Sequence, residues 1–316
     1  MPIASRISPY IQIARPDHWF KNIFVIPGIV AASIMVPGSV EPNTLALRIV
    51  LATISVCLVA SANYTINEYL DAEYDRLHPL KNYRAAALGL VNGKWVFMQY
   101  ILLSALGLSI AYHLGRAYLL WSCVLLMMGI IYNVPPLRSK DRCFLDVLSE
   151  AINNPLRFLL GWHIVALNVL PPSSILLSYW MGGAFLMAMK RYAEYRYINN
   201  AEVAGRYRVS FRHYTEEKLL LSAFFYAISS SLFLGIFLVK HRIEFVLAFP
   251  LIAILFMWYL HIAIKAESVA QAPEKLYKEK AFIAYVVFMS ACLVFLFFVR
   301  MDFLNSLLSV NPIKLK

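Results

Sequence analysis

Charge is scarce in this chain. Asp, Glu, Lys and Arg make up 15% of its 316 residues, against 60% hydrophobic, and mean hydropathy is +0.63. A soluble domain is nearer a quarter charged and half apolar. Too few polar groups remain to cover a water-facing surface, which excludes an ordinary soluble protein and makes lipid the natural solvent. Cysteine is sparse as well: Cys57, Cys123, Cys143 and Cys292 lack metal-ligand spacing, so packing is their expected role. No small-residue cleavage site follows an apolar core near Arg6 and Arg15, and no signal peptide is expected. The apolar runs are continuous rather than alternating, which excludes a membrane barrel in favour of helices.

A bilayer-crossing helix needs about 20 mostly apolar residues. Nine candidate spans follow: Asn22–Val36, Leu45–Ile66, Lys94–His113, Ala117–Asn133, Val147–Leu170, Ser173–Met189, Leu219–Val239, Phe245–Ile264 and Ala281–Val299. The first is short and draws on the amphipathic stretch before it. An all-α polytopic membrane protein is expected, folded as a single integral domain over residues 1–316.

Basic residues outnumber acidic ones 29 to 18. Placed on the nine spans, 21 of those 29 fall on the side of the N-terminus. The positive-inside rule then puts the N-terminus and that face in the cytoplasm. Part of this charge serves topology and attraction to anionic headgroups. Nucleic acid is not expected as a partner.

The acids carry more information. The second span ends in Asn67-Glu68-Tyr69-Leu70-Asp71-Ala72-Glu73-Tyr74-Asp75, and positions 67, 71 and 75 fall on one helical stripe. Two carboxylates and an amide oxygen suit a hard cation. Mg²⁺ is commonly held by one or two carboxylates completed by substrate phosphates. Asn67, Asp71 and Asp75 are therefore the expected catalytic metal ligands, and a solvated helix end is the plain alternative. The next loop adds Arg76, Lys81 and Arg84, which suit phosphate; His78, beside Pro79, reads as a turn residue.

Two further polar groups face the same side. One is Tyr132-Asn133-Val134-Pro135-Pro136-Leu137-Arg138-Ser139-Lys140, where the prolines stop a helix. The other is the stripe Asp146, Glu150, Asn153/Asn154 and Arg157, which runs into an apolar helix and must face the protein interior or a wet cavity. Arg157 either pairs with Asn153 or Asn154 or binds a phosphate. The sixth span closes with Lys190-Arg191-Tyr192-Ala193-Glu194, followed by Arg196, Arg206, Arg208 and Arg212.

An Asn-x3-Asp-x3-Asp at the inner end of the second of nine helices resembles the UbiA-type superfamily of intramembrane transferases. The stretch Arg15-Pro16-Asp17-His18-Trp19-Phe20-Lys21-Asn22 is similar to that superfamily's opening "RP..W.KN". The resemblance implies a UbiA-like helical bundle with a cytoplasm-facing, Mg²⁺-dependent site. Prenyltransferases of the superfamily carry a second Asp-rich motif after the sixth helix. This chain has Glu194 and a run of cations there instead. "KRYAE" with a basic "R…YT" stretch resembles the decaprenyl-phosphate phosphoribosyltransferase branch, as do Asp75-Arg76, His78-Pro79 and Lys81-x2-Arg84.

That branch implies transfer of 5-phosphoribose from phosphoribosyl diphosphate to a polyprenyl phosphate in a bacterial inner membrane. The product would supply ribosyl or arabinosyl donors for glycoconjugates. Lys21, Lys81, Arg84, Tyr132, Arg138, Lys140, Arg157, Lys190, Arg191 and Glu194 would contact substrate and phosphate, with Asp146, Glu150 and Asn154 as the second polar stripe. A homo-oligomer is compatible with this reading. Two rivals stay open: prenyl transfer from a prenyl diphosphate to an aromatic acceptor, and, more remotely, a transporter. Clustering of charge on one face counts against a conduit.

Overall fold

The computed structural model describes residues 3–77, 81–241, 243–265, 268–271 and 273–308; His78 and Pro79 lie outside them. Most of the described residues are helical, and none of them is in a strand. The helices are α1 (Ile3–Ala14), α2 (Ile26–Met35), α3 (Pro42–Leu70), α4 (Ala72–Arg76), α5 (Gly93–Leu114), α6 (Arg116–Asn133), α7 (Leu145–Ala151), α8 (Asn153–Val165), α9 (Ser173–Ile198), α10 (Ala201–Tyr207), α11 (Glu216–His241), α12 (Phe249–Ile264), α13 (Lys280–Phe298) and α14 (Asp302–Leu307).

Six stretches of the described residues are long and apolar enough to cross a bilayer: Ser8–Met35, Asn43–Leu70, Gly93–Leu114, Arg116–Asn133, Glu216–His241 and Ile243–Ile264. The protein is an integral membrane protein. These six answer to six of the nine expected spans. The expected span Val147–Leu170 is instead two helices, α7 and α8, and α8 ends at Val165. Pro155 explains the break, because it has no N–H to bond the Ala151 carbonyl and its ring crowds the preceding turn. The expected span Ser173–Met189 is the apolar part of α9, which runs on to Ile198 through Lys190, Arg191 and Arg196. The last expected span is α13, apolar over Lys280–Leu296. The start of the first expected span is also not α-helical: Pro16–Val25 winds as a 3₁₀ stretch before α2 takes over.

The chain forms two compact units, residues 1–171 with 198–215, and residues 172–197 with 216–316. In the first, α3 is the axis. Its 29 residues reach about 43 Å at 1.5 Å per residue, and α5, α6, α8, α1 and the 16–25 stretch pack along it. Close approaches depend on missing side chains. A Cβ on Gly28 would lie 2.0 Å from the Phe158 carbonyl oxygen, and one on Gly161 would lie 2.0 Å from that of Val25. The α2 and α8 backbones therefore touch. At the end of α3 away from its acids, Arg48 donates to the Ile164 and Leu114 carbonyls at 2.8 Å, satisfying groups that the ends of α8 and α5 leave open.

In the second unit, α9 and α11 are joined by a reciprocal pair: each hydroxyl of Ser178 and Ser230 donates to the other's carbonyl at 3.0 Å. Ala248, Ile252, Met289 and Leu296 form an apolar core between α12 and α13. The Met301 amide donates to the buried Glu244 carboxylate at 3.2 Å.

Candidate active site at the acidic end of α3

The stripe expected from spacing exists in the backbone itself. The Asp71 amide bonds the Asn67 carbonyl at 3.0 Å and the Asp75 amide bonds the Asp71 carbonyl at 2.8 Å. The three residues are successive rungs even though α3 stops at Leu70 and α4 begins at Ala72. Asn67 Nδ2 donates to Asp71 Oδ2 at 3.2 Å and also to Asn133 Oδ1.

Cations from the following loops close on these acids. Lys140 Nζ donates to Asp71 Oδ1, and Arg138 Nη2 reaches the same oxygen at 3.2 Å. Lys140 also donates to Asn133 Oδ1 at 3.0 Å. Arg138 is held from behind by Asp141 at 2.9 Å, and its guanidinium lies 5.2 Å from the Tyr74 ring centroid. Arg84 Nη1 donates to Asp75 Oδ2 at 2.7 Å. Lys81 Nζ donates to Tyr207 Oη and lies 4.8 Å from that ring's centroid.

In the Asp75–Arg84 and Lys140–Asp71 pairs one partner is buried. Asp75 is 4% exposed, and burial pushes its carboxyl above the usual aspartate range, against the pull of the Arg84 and Lys81 charges. Lys140 is 5% exposed, and burial pulls its ammonium below the usual lysine range, against the pull of Asp71.

The second polar stripe flanks this centre. Tyr132 Oη donates to Glu150 Oε2 at 2.8 Å, and its ring lies 5.9 Å from Lys140 Nζ. Asp146 is fully buried and accepts from Tyr214 Oη at 2.7 Å and Ser210 Oγ at 3.1 Å. Arg208 Nη2 donates to Tyr132 Oη at 2.9 Å. Asn154 is half-buried on α8 and makes no side-chain hydrogen bond among the described residues.

Two expected site residues of the first unit sit further along α3. Lys21 bonds His18 at 3.1 Å and lies 5.9 Å from the Tyr64 ring centroid. Arg157 donates to Asn22 Oδ1 at 3.0 Å and to the Asn153 carbonyl at 3.4 Å, and Asn22 in turn donates to Cys57 at 3.2 Å. Cys57 precedes Asn67 by ten residues, about 15 Å of helix rise. Arg157 thus joins a polar group with Asn22 and Cys57. Of the two expected roles, pairing with Asn153 or Asn154 or binding phosphate, the structure shows a bond to the Asn153 carbonyl and adds Asn22 as a partner. Lys190, Arg191 and Glu194 lie in the second unit on α9, where Arg191 Nη1 donates to Glu194 Oε2 at 3.1 Å.

Sequence reasoning noted Asn133, Arg208 and Tyr214 within motifs without giving them a site role, and passed over Tyr207 and Ser210. Asn133 carried a faint signal, an amide closing an apolar helix beside Tyr132. The others lie in a basic loop whose spacing does not distinguish one cation from the next.

The donor set fits a hard cation only in part. Among the described residues no three His, Cys, Asp or Glu side chains gather as metal ligands. Two carboxylates and an amide oxygen suit Mg²⁺ whose remaining positions come from water and substrate phosphate.

Comparison with known proteins gives the family and the fold. The model of the UbiA prenyltransferase family matches residues 24–286. Decaprenyl-phosphate phosphoribosyltransferase of Mycolicibacterium smegmatis is 29% identical over 221 residues, which cover 69% of this chain and 66% of that protein. The match therefore spans just under two thirds of that relative's length. Nodulation protein NoeC of Azorhizobium caulinodans is 30% identical over 185 residues, 58% of this chain and 57% of that protein. A UbiA homolog from Archaeoglobus fulgidus, solved bound to GPP and Mg²⁺, shares the fold with a TM-score of 0.68 at 21% identity, covering 89% of this chain and 99% of that one. With the family model matched from the first membrane stretch to α13, the chain belongs to the UbiA prenyltransferase family.

Proposed function

We propose that the protein transfers a 5-phosphoribosyl group from phosphoribosyl diphosphate to a polyprenyl phosphate such as decaprenyl phosphate. The reaction would take place at the cytoplasmic face of a bacterial inner membrane. The observation that carries this reading is the ratio of charges at the acidic end of α3. Asp71 and Asp75 face Arg84, Arg138 and Lys140 directly, with Lys81 and Arg208 on neighbouring tyrosines. The donor brings a diphosphate and a separate 5-phosphate, and the acceptor brings a third phosphoryl group. One acidic pair with many cations suits three phosphoryl groups better than it suits a prenyl diphosphate and an aromatic acceptor with at most one carboxylate.

Asn67, Asp71 and Asp75 would hold Mg²⁺, which when bound would offset charge on the departing diphosphate. Lys140 and Arg138 neutralise Asp71 and lie within reach of phosphate oxygens beside it. In the transfer, the bond from the anomeric carbon to the diphosphate oxygen breaks and takes its electron pair with it. A phosphate oxygen of the acceptor forms the new bond to that carbon, and inorganic diphosphate leaves. The acceptor oxygen is already an anion, so no general base is required.

The test offers purified protein two mixtures: labelled phosphoribosyl diphosphate with decaprenyl phosphate, and labelled geranyl diphosphate with a hydroxybenzoate. Labelled lipid is expected in the first. Product in the second alone would replace this reading with aromatic prenyl transfer.

A further inference from the structure

Residues 198–215 pack with the first unit although the helices on either side, α9 and α11, belong mainly to the second. This basic segment carries Arg206, Arg208 and Arg212. Beside the bonds of Tyr207 to Lys81 and of Arg208 to Tyr132, it is held by one side chain of α7. Asp146 is 0% exposed and takes hydroxyl hydrogen bonds from Ser210 and Tyr214 on its two separate oxygens. Arg208 Nε stands 3.6 Å from the oxygen that Ser210 holds.

The tyrosine is fixed in turn. Tyr214 Oη accepts from the Phe144 amide at 2.7 Å while it donates to Asp146, and the two rings meet edge to face at 5.5 Å. Burial and the Asp146 charge push the Tyr214 hydroxyl well above the usual tyrosine range, so it stays a donor.

A fully desolvated carboxylate is costly unless a nearby charge and several hydrogen bonds compensate it. An asparagine could accept one of these hydroxyls and donate its Nδ2 to the other, but would carry no charge. What the charge adds is a hold on Arg208, whose other end donates to Tyr132 beside Lys140 and Asp71.

We propose that Asp146 is a positioning residue: it pins residues 198–215 to α7 and orients Arg208 toward the diphosphate at the acidic end of α3, making Arg208 a further phosphate-binding residue. The proposal rests on the reading that this end binds diphosphate. Asp146 itself touches no substrate and acts through Arg208.

The test uses the full chain in nanodiscs, with inorganic pyrophosphate and Mg²⁺ as the calorimetric probe. D146N keeps the shape and removes the charge; R208Q removes the guanidinium. Each is expected to weaken pyrophosphate binding by roughly ten- to a hundredfold, the worth of one charge-assisted hydrogen bond. The double variant should bind no more weakly than the worse single one, because both act on the same contact. Losses that multiply, or unchanged binding in D146N, would overturn the proposal.

Hydrogen exchange reads the anchoring separately. In D146A, amides of 198–215 should exchange faster while those of α3 and α5 keep their protection. Unchanged exchange in 198–215, or loss across the whole first unit, would also overturn it. Wild-type protein that binds no pyrophosphate would sink the diphosphate reading and Arg208's ligand, while the exchange result would still decide whether Asp146 holds the segment.

Discussion

Replacing Gly161 by alanine tests whether α2 and α8 meet as closely as their glycines imply. The new Cβ would begin 2.0 Å from the Val25 carbonyl oxygen, 2.9 Å from its carbon and 3.1 Å from the Ile29 amide nitrogen. An ordinary carbon–oxygen contact is about 3.3 Å or more. The obstacle is backbone on a packed helix, not the tip of a side chain, so the helices must part by about 1 Å. A gap of that size forfeits a quarter to a half of each dispersion contact along the seam. Overpacking of this kind costs about 1–3 kcal/mol, and any lost Cα–H···O contacts add about 0.5–1 kcal/mol each. Gly161→Ala should therefore lower Tm in detergent by several degrees, with Gly28→Ala similar. Gly235→Ala is the control: nothing lies within 4 Å of its Cβ, and alanine is the better helix former by about 1 kcal/mol. Gly161→Ala melting with wild type would refute the close crossing.

Further outcomes follow from the acidic end of α3. Asp71→Asn and Asp75→Asn should each reduce turnover at least about a hundredfold while membrane insertion, measured by fractionation, is unchanged. Lys140→Met leaves Asp71 with Arg138 and Asn67 and should raise KM for the diphosphate donor by about tenfold, one charge-assisted bond. Burial raises the Asp75 carboxyl above its usual range, so the folded protein without ligand loses stability as pH rises through that raised value. In metal-free protein the Asp75 carboxyl, followed by infrared difference titration, should therefore protonate above the usual aspartate value of about 3.9. Arg84 lowers that carboxyl's pKa, so Arg84→Gln should move this metal-free titration higher still.

The legible parts of this protein are those set by local periodicity. An apolar run of helical length closing in Asn67, Asp71 and Asp75 announces both a span and a polar stripe, because a spacing of four places side chains on one face whatever the tertiary fold. Pro155 was visible too, yet its effect depends on whether neighbouring helices restore the lost turn, and here α7 and α8 stay separate. Long-range partners were not legible. Arg157 meets Asn22 across 135 positions of sequence, and Arg208 meets Tyr132 across 76. Nothing in the order of Arg206, Arg208 and Arg212 singles out the one that α7 holds. Arg138 and Lys140 were expected as phosphate contacts, but their two-sided grip on Asp71 was not legible.

The most direct measurement is Mn²⁺ binding followed by the free-ion EPR signal, with Mn²⁺ standing in for Mg²⁺. Wild-type protein with phosphoribosyl diphosphate should remove free Mn²⁺ far more strongly than protein or donor alone, and the Asp71→Asn/Asp75→Asn double variant should not. Equal Mn²⁺ uptake by that double variant would contradict the claim that these two aspartates carry the metal diphosphate.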